Sequence, residues 1–277
     1  MRWEAPGPAM LFCPADRPER YSKAAERADV VILDLEDAVA PEGRPAAREH
    51  VAGSSLDPDR VVVRVNPVDT DDFALDMEAV RKTDYRVVML AKSESAEQLA
   101  KVDRDVLALI ETPLGVVRAP EIAAAPNCVA MMWGAEDLVA AMGGTKSRFE
   151  ESEADGQRVA GGYRDVPRHA RASVAMAAAA FGRSAIDSVY LDIPDTDGLR
   201  AEALDAVALG YEATACIHPS QVEVIRSAYA PTDEQVEWAT RVLDAAKGNR
   251  GVFSLDGQMV DAPVFRQAEA IKRRSGI

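Results

Sequence analysis

The chain has 277 residues, 48% of them hydrophobic and 28% charged, which suits a globular protein large enough to bury a core without disulfides. Acidic residues outnumber basic ones 46 to 32, and the resulting net charge of −14 argues against nucleic acid and anionic membrane surfaces as partners. No uncharged stretch reaches the roughly 18 residues of a membrane helix, and the first residues lack the apolar run of a secretory signal.

Taken in chain order, the predicted elements alternate. A short apolar run at residues 10–14 is followed by a helical pattern at 17–28, then a second run at 30–35, very rich in Val, Ile and Leu. A third run lies at 61–65, a helical pattern at 71–83, a fourth run at 86–90, and a helical pattern at 94–103. Runs five and six lie at 106–110 and 129–133. Run seven is read at 188–193, a helical pattern at 198–209, and run eight at 213–217. Continuous apolar runs suit strands buried on both faces, as in a parallel sheet. Eight β units with helices between them predict an α/β fold, a (β/α)8 TIM barrel over residues 1–225 with a C-terminal helical extension over 226–277. No GxGxxG follows the first strand, which weakens a dinucleotide-binding alternative. An acidic insertion, residues 143–166 with its centre at 149–156, has no apolar period and reads as a mobile loop at the barrel mouth. Cys13, Cys128 and Cys216 are scattered and set in or beside apolar runs, so they read as core thiols in a reducing cytoplasm.

Reacting groups of such a barrel come from the C-terminal strand ends and the loops after them. Reading these ends gives Asp16 and Arg17, then Asp34, Glu36 and Asp37, then Arg64 and Asn66, then Lys92. Glu111 follows the fifth run, Gly134, Ala135, Glu136 and Asp137 the sixth, Asp192 lies in the seventh, and His218 follows the eighth. Glu36, Asp37, Glu111, Glu136, Asp137 and Asp192 in one cleft would repel each other, and a divalent cation removes that conflict. Without a Cys/His cluster, oxygen ligands point to Mg²⁺, or Mn²⁺, with Glu111 and Asp137 on adjacent strands as its acids. Arg64 inside an apolar run needs a carboxylate partner, with Glu36 or Asp37 the expected ones, or an anionic ligand whose charge it stabilises. Gly134 and Ala135 allow close backbone approach to a ligand at a helix start. Lys92 is a candidate Schiff-base nucleophile, although the neighbouring acids argue for metal chemistry instead. His218 reads as a loop hydrogen-bonder, and His50 and His169 as surface residues.

These residues stand in motifs that resemble a known family. Leu11-Phe-Cys-Pro-Ala-Asp-Arg-Pro-Glu-Arg20, Leu33-Asp-Leu-Glu-Asp-Ala-Val39, Val63-Arg-Val-Asn66, Ile110-Glu-Thr112, Trp133-Gly-Ala-Glu-Asp-Leu138, Cys216-Ile-His-Pro-Ser-Gln221 and Asp256-Gly-Gln-Met-Val-Asp261 occur in order. Together they resemble the citrate lyase β-subunit-like group of the HpcH/HpaI aldolase and malyl-CoA lyase superfamily. The resemblance implies Mg²⁺ held by Glu111 and Asp137, a substrate-binding Arg64, and a coenzyme A thioester substrate. It also implies a homotrimer in which Asp261, in the C-terminal extension, enters a neighbouring subunit's site as general acid/base. Ala91-Lys92 and Ala213-Thr214 depart from the family's usual Pro-Lys and Gly-Lys.

The expected reaction is metal-assisted cleavage or formation of a carbon–carbon bond in a malyl-, citramalyl- or hydroxymethylglutaryl-type CoA thioester, giving a 2-oxo acid or related carbonyl product and an acyl-CoA. Glu36, Asp37, Gly134, Ala135 and Glu136 are expected around the substrate, and Arg17, Arg20 and Lys23 are candidate anchors for CoA phosphates. Alternatives are a citrate lyase β subunit acting on citryl-acyl carrier protein to give oxaloacetate, a class II aldolase of free hydroxy-oxo acids, and a barrel that binds CoA or an oxo acid without turnover.

Overall fold

Alternation of side chains along a strand, combined with apolar residues on both faces, lets one set of residues fill a barrel while the other meets covering helices. The computed structural model describes residues 3–155, 159–248 and 251–276. Eight parallel strands close into one barrel in sequence order: β1 (Ala9–Pro14), β2 (Val30–Asp34), β3 (Val61–Val65), β4 (Val87–Leu90), β5 (Asp105–Ile110), β6 (Cys128–Trp133), β7 (Ser184–Asp187) and β8 (Ala213–Cys216). Pairing of Ala9–Leu11 with Thr214–Cys216 closes the ring. Met10, Val30, Ile32, Val62, Val87, Met89, Leu107, Leu109, Met132 and Ile186 belong to one buried cluster. Continuing the same alternation by one step toward the strand ends brings Ile32 to Asp34, Val62 to Arg64, Leu109 to Glu111 and Met132 to Gly134. The apolar filling of the barrel thus ends in a polar layer. All three cysteines are buried, Cys13 on β1, Cys128 on β6 and Cys216 on β8.

The seventh strand departs from expectation. It is Ser184-Ala-Ile-Asp187, paired with β6 at Ala130–Met132 and with β8 at Ala213–Thr214. The more strand-like residues 188–193 form the following loop, with Leu191 half exposed and Asp192 exposed. Asp192 is therefore not a strand-end acid. Asp187 is tolerated at a buried position because Arg171, from the helix Asp165–Ala180, donates to both its carboxylate oxygens (3.1 and 2.7 Å) and Trp133 Nε1 donates to Oδ1 at 2.7 Å. Helices at Tyr21–Arg27, Asp71–Arg81 and Thr196–Leu209 fall where the pattern predicts them. The pattern at 94–103 yields only Ala96–Leu99, and Arg44–Ala52 is a helix the pattern does not predict.

The acidic insertion has a strapped base. Arg164 N–H donates to Ser147 O (2.8 Å), Phe149 N–H to Gly162 O (2.9 Å) and Gly161 N–H to Phe149 O (2.9 Å). Arg148 makes a bidentate pair with Glu202 at 2.7 and 3.0 Å and lies over the Tyr163 ring, 3.7 Å from its centroid. Glu151–Glu153 forms a 3₁₀ turn with a capping box from Glu150 and Glu153. Gly156, the last residue of the predicted centre, lies outside the described residues.

The chain divides into two compact units, Met1–Ile225 and Arg226–Ile277. In the second, the helices Asp233–Gly248 and Ala262–Arg274 flank a hairpin of β9 (Phe253–Leu255) and β10 (Gln258–Val260). Asp256 (φ 53°) and Gly257 (φ 79°) make its two-residue turn, the left-handed pair that matches strand twist. Ala239, Val242, Val260 and Ala268 form the core of this unit. No helix among the described residues is long and apolar enough to cross a membrane.

Candidate active site

Arg64 and Asp34 face each other in register on β3 and β2. Arg64 Nε donates to Asp34 Oδ1 at 2.7 Å and Nη2 to Oδ2 at 2.6 Å. The same carboxylate accepts the backbone N–H groups of Glu36 (2.9 Å) and Ala38 (3.2 Å). The expected partners of Arg64 take second place: its Nη1 lies 3.0 Å from Glu36 Oε2 and 3.9 Å from Asp37 Oδ2. Phe12 underlies the guanidinium, 4.9 Å from ring centroid to Cζ. Glu36 is buried and Asp37 exposed. Asn66 turns to a structural task, donating to Leu35 O (3.0 Å) and Asp76 Oδ2 (2.7 Å).

Glu111 is buried at the end of β5, and its Oε1 accepts Lys92 N–H at 3.1 Å. Lys92 adopts φ 50°, a left-handed conformation that costs a non-glycine residue of the order of 1–3 kcal/mol and clusters at functional sites. The Lys92 ammonium bonds Glu36 Oε1 and lies 3.7 Å from Asp137 Oδ1 and 4.0 Å from Glu111 Oε1. Two cations, Arg64 and Lys92, thus stand among the five carboxylates of Asp34, Glu36, Asp37, Glu111 and Asp137.

Burial, with the charges of Asp137 and Glu36, pushes the Glu111 carboxyl up to about 8, against the pull of Lys92 and Arg64. Burial likewise raises Glu36, with Arg64 and Lys92 opposing it. Burial alone would lower Lys92, but its bond to Glu36 and the charges of Glu111, Glu36 and Asp37 outweigh that and raise it. Lys92 therefore remains an ammonium and is unsuited to imine formation, which needs a neutral amine.

Gly134 plays a different part from the one expected. Its N–H donates to Ile110 O at 3.1 Å, so it offers no donor to a ligand. A Cβ there would lie 2.9 Å from Glu111 Oε2 and 3.0 Å from Glu111 Cβ, so the missing side chain makes room for Glu111. Ala135 and Glu136 begin the seven-residue helix Ala135–Ala141. Glu136 is exposed, and its Oε1 accepts Ser147 Oγ–H at 2.5 Å. His218 is exposed, with Nδ1 2.7 Å from Ser220 Oγ. His169 is exposed as expected and His50 half-buried; Arg17, Arg20 and Lys23 are exposed.

Asp261 lies in the second unit. Its Oδ1 accepts Val264 N–H at 3.3 Å, and it caps the helix Ala262–Arg274. It lines a cavity of about 490 Å³ with Phe253, Val260, Phe265 and Arg266.

The donor chemistry at the mouth fits a hard divalent cation. The acids are oxygen donors, and Glu111 is destabilised as an anion by burial and by the charges of Asp137 and Glu36. No group of three or more His, Cys, Asp or Glu side chains with metal-binding geometry occurs among the described residues. A pair of acids suffices for Mg²⁺, which keeps several waters and takes further oxygens from a substrate.

The profile of HpcH/HpaI aldolase/citrate lyase matches residues 8–106 and 104–219. The chain belongs to this family. The C-C bond lyase profile of the TIM-barrel fold also matches, over residues 164–277. The citrate lyase subunit beta-like protein of Mycobacterium tuberculosis is 54% identical over 277 residues, covering 100% of this chain and 98% of that protein. L-malyl-CoA/beta-methylmalyl-CoA lyase of Rhodobacter capsulatus is 31% identical over 310 residues, covering 99% and 98% of the two. A crystal structure of CitE from M. tuberculosis in complex with magnesium, acetoacetate and coenzyme A superposes with a TM-score of 0.90 at 54% identity, covering 99% of each chain. The family consists of carbon–carbon lyases, and this HpcH/HpaI member is one of them, on the barrel expected from sequence.

Proposed function

We propose that the chain is a Mg²⁺-dependent lyase of β-hydroxyacyl-CoA thioesters. The observation that carries this reading is the convergence of Arg64, Glu111 and Asp137, with Lys92, on one polar layer at the barrel mouth. The M. tuberculosis structure with magnesium, acetoacetate and coenzyme A, and the Rhodobacter malyl-CoA lyase, support the substrate class.

Glu111 and Asp137 would hold Mg²⁺. Bound there, the ion supplies a Lewis acid for the oxygens of a 2-hydroxy or 2-oxo acid. Arg64 presents Nη1 toward the charge that develops on the substrate, with its other edge fixed on Asp34. Glu36 orients Nη1 of Arg64 and binds the Lys92 ammonium, and Asp37 adds a second, exposed carboxylate. Glu136 and Ala135 border the substrate at the helix start, and Gly134 leaves space for Glu111.

In cleavage, the substrate hydroxyl gives its proton to solvent, its oxygen becomes the carbonyl of the leaving product, and the bond between the carbinol carbon and the acyl α-carbon breaks with its electron pair passing into the acyl-CoA enolate. A 2-oxo acid or related carbonyl product leaves, and Asp261 from a neighbouring subunit of a homotrimer delivers a proton to the α-carbon of the acyl-CoA enolate. In the reverse direction Asp261 removes that proton. Three buried thiols support a reducing cytoplasm as its location.

The test is a panel of malyl-, citramalyl- and hydroxymethylglutaryl-CoA incubated with Mg²⁺ and followed by mass spectrometry. Release of acyl-CoA and a carbonyl product is expected from at least one. If none is cleaved but citryl-acyl carrier protein is, the chain is a citrate lyase β subunit. Asp261→Asn keeps an N-cap side chain while removing the acid, so it is expected to abolish turnover and retain ligand binding.

A further inference from the structure

Arg64 is held by Asp34, a strand-end acid that neither the metal chemistry nor the reading of the substrate contacts gives a task. Asp34 is 1% exposed and engages two of the three guanidinium nitrogens, Nε and Nη2, in a planar fork. Its remaining acceptor capacity is fixed by the backbone N–H groups of Glu36 and Ala38. The carboxylate therefore cannot rotate without releasing the turn after β2. Phe12 restrains the guanidinium from its face. These contacts leave Nη1 as the edge directed at Glu36 and Asp37, on the side where the carboxylates gather.

Stability alone does not call for this pair. A buried ion pair is often no more stable than apolar residues of similar volume, because desolvation offsets its Coulombic gain. One step deeper on the same two strands, Ile32 and Val62 fill the barrel with apolar groups. The charge pair begins only in the layer that opens to the mouth. It also cancels the net charge of Arg64, so Arg64 acts as an aimed N–H donor and not as a general positive field.

We infer that Asp34 is the positioning residue of Arg64, setting the direction of Nη1 for the reaction of this site. This rests on the lyase reading above. Displacing a reacting group by about 1 Å costs roughly 100-fold in rate. Asp34→Asn removes the fork, and Asp34→Glu keeps the charge but pushes the guanidinium outward by one methylene. Both are expected to lower kcat about 100-fold, with KM changed less than threefold and Mg²⁺ affinity, by calorimetry, changed less than twofold (~).

The separating experiment is a cycle with Arg64→Ala, assayed on malyl-CoA and citramalyl-CoA with Mg²⁺. If Asp34 acts through Arg64, the D34N/R64A double variant is no slower than R64A. If Asp34 only supports the fold, the two losses multiply and the inference falls. It falls equally if both Asp34 variants keep kcat within about threefold while R64A is inactive. A fully active R64A would take Arg64 out of the reaction and overturn the inference, whereas a native chain that cleaves neither thioester would overturn the lyase reading instead. A second readout needs no turnover: the Arg64 Nε–H resonance, identified by its loss in Arg64→Lys, is expected to exchange slowly with water in the native protein because it is buried and bonded to Asp34. It is expected to exchange at least ~10-fold faster in D34N, and an unchanged rate would remove the basis of the inference.

Discussion

Replacing Gly134 by alanine tests the packing of the polar layer most directly. Gly134 has φ −125° and ψ 125°, ordinary extended backbone that alanine also adopts, so the substitution adds no backbone strain. It even lowers the entropy of the unfolded chain, an effect of about 0.4–1 kcal/mol in favour of the fold. The new Cβ would sit 3.0 Å from Glu111 Cβ and 2.9 Å from Oε2. Carbon atoms rest at roughly 3.5–4.0 Å, so Glu111 must retreat by about half to one ångström. Overpacking of this kind costs about 1–3 kcal/mol. Realised at the site, that is about 5- to 160-fold in kcat/KM. Gly134→Ala is therefore expected to lower kcat/KM by that factor and to weaken Mg²⁺ binding in calorimetry. Its urea midpoint should fall only by the part of that packing cost left after the unfolded-chain effect, a net loss of at most about 2.6 kcal/mol. A variant that binds Mg²⁺ and turns over like the native chain would refute both the contact and the role of Glu111.

Other outcomes follow from different parts of the molecule. The folded Glu111 carboxyl is raised to about 8 from its ordinary 4.5, so between these values the folded state holds a proton that the unfolded chain has lost. The stability due to this group is full below pH 4.5 and disappears as the pH rises through about 8. With EDTA present, the urea midpoint is expected to fall from pH 5 to 8.5 (about), and Glu111→Gln is expected to flatten that decline. Arg171→Ala leaves Asp187 buried and unpaired, so it is expected to cost about 3–5 kcal/mol in urea unfolding; a loss below ~1 kcal/mol would contradict the pairing. Arg148→Ala removes the Glu202 pair and the contact with Tyr163. Cleavage by a glutamate-specific protease at Glu150, Glu151 and Glu153 is then expected to speed up while the rest of the barrel resists, as read by mass spectrometry of the fragments.

The barrel was legible because seven of its eight strands, all but β7, are apolar runs of ordinary length. The exception, Ser184–Asp187, owes its place to Arg171, a partner 16 residues away whose pairing leaves no local pattern. Arg64 is legible as a cation that needs an anion, but the sequence points to Glu36 or Asp37 as its partner and the structure puts Asp34 nearest. Sliding β2 and β3 into parallel register, Val31 against Val61, sets Asp34 beside Arg64 and would have found it. Glu111 and Asp137 could be read from their strand ends. The left-handed backbone of Lys92 could not, since that conformation ordinarily marks glycine or asparagine. Nor could the straps of the acidic insertion, because Arg148 and Glu202 are 54 residues apart and meet only once the barrel has closed.

The placement of the cysteines turns the barrel into its own reporter. Burial pushes the Cys13 thiol up to about 11 and the Cys128 thiol up to about 12, so both resist alkylation while the ring of strands is shut. Cys13 and Cys216 lie on β1 and β8, the two strands whose pairing joins the start of the ring to its end, whereas Cys128 lies on β6. Timed alkylation of the unmodified chain would thus distinguish parting of that seam, which labels the first two together, from collapse of the whole cylinder, which labels all three at one rate.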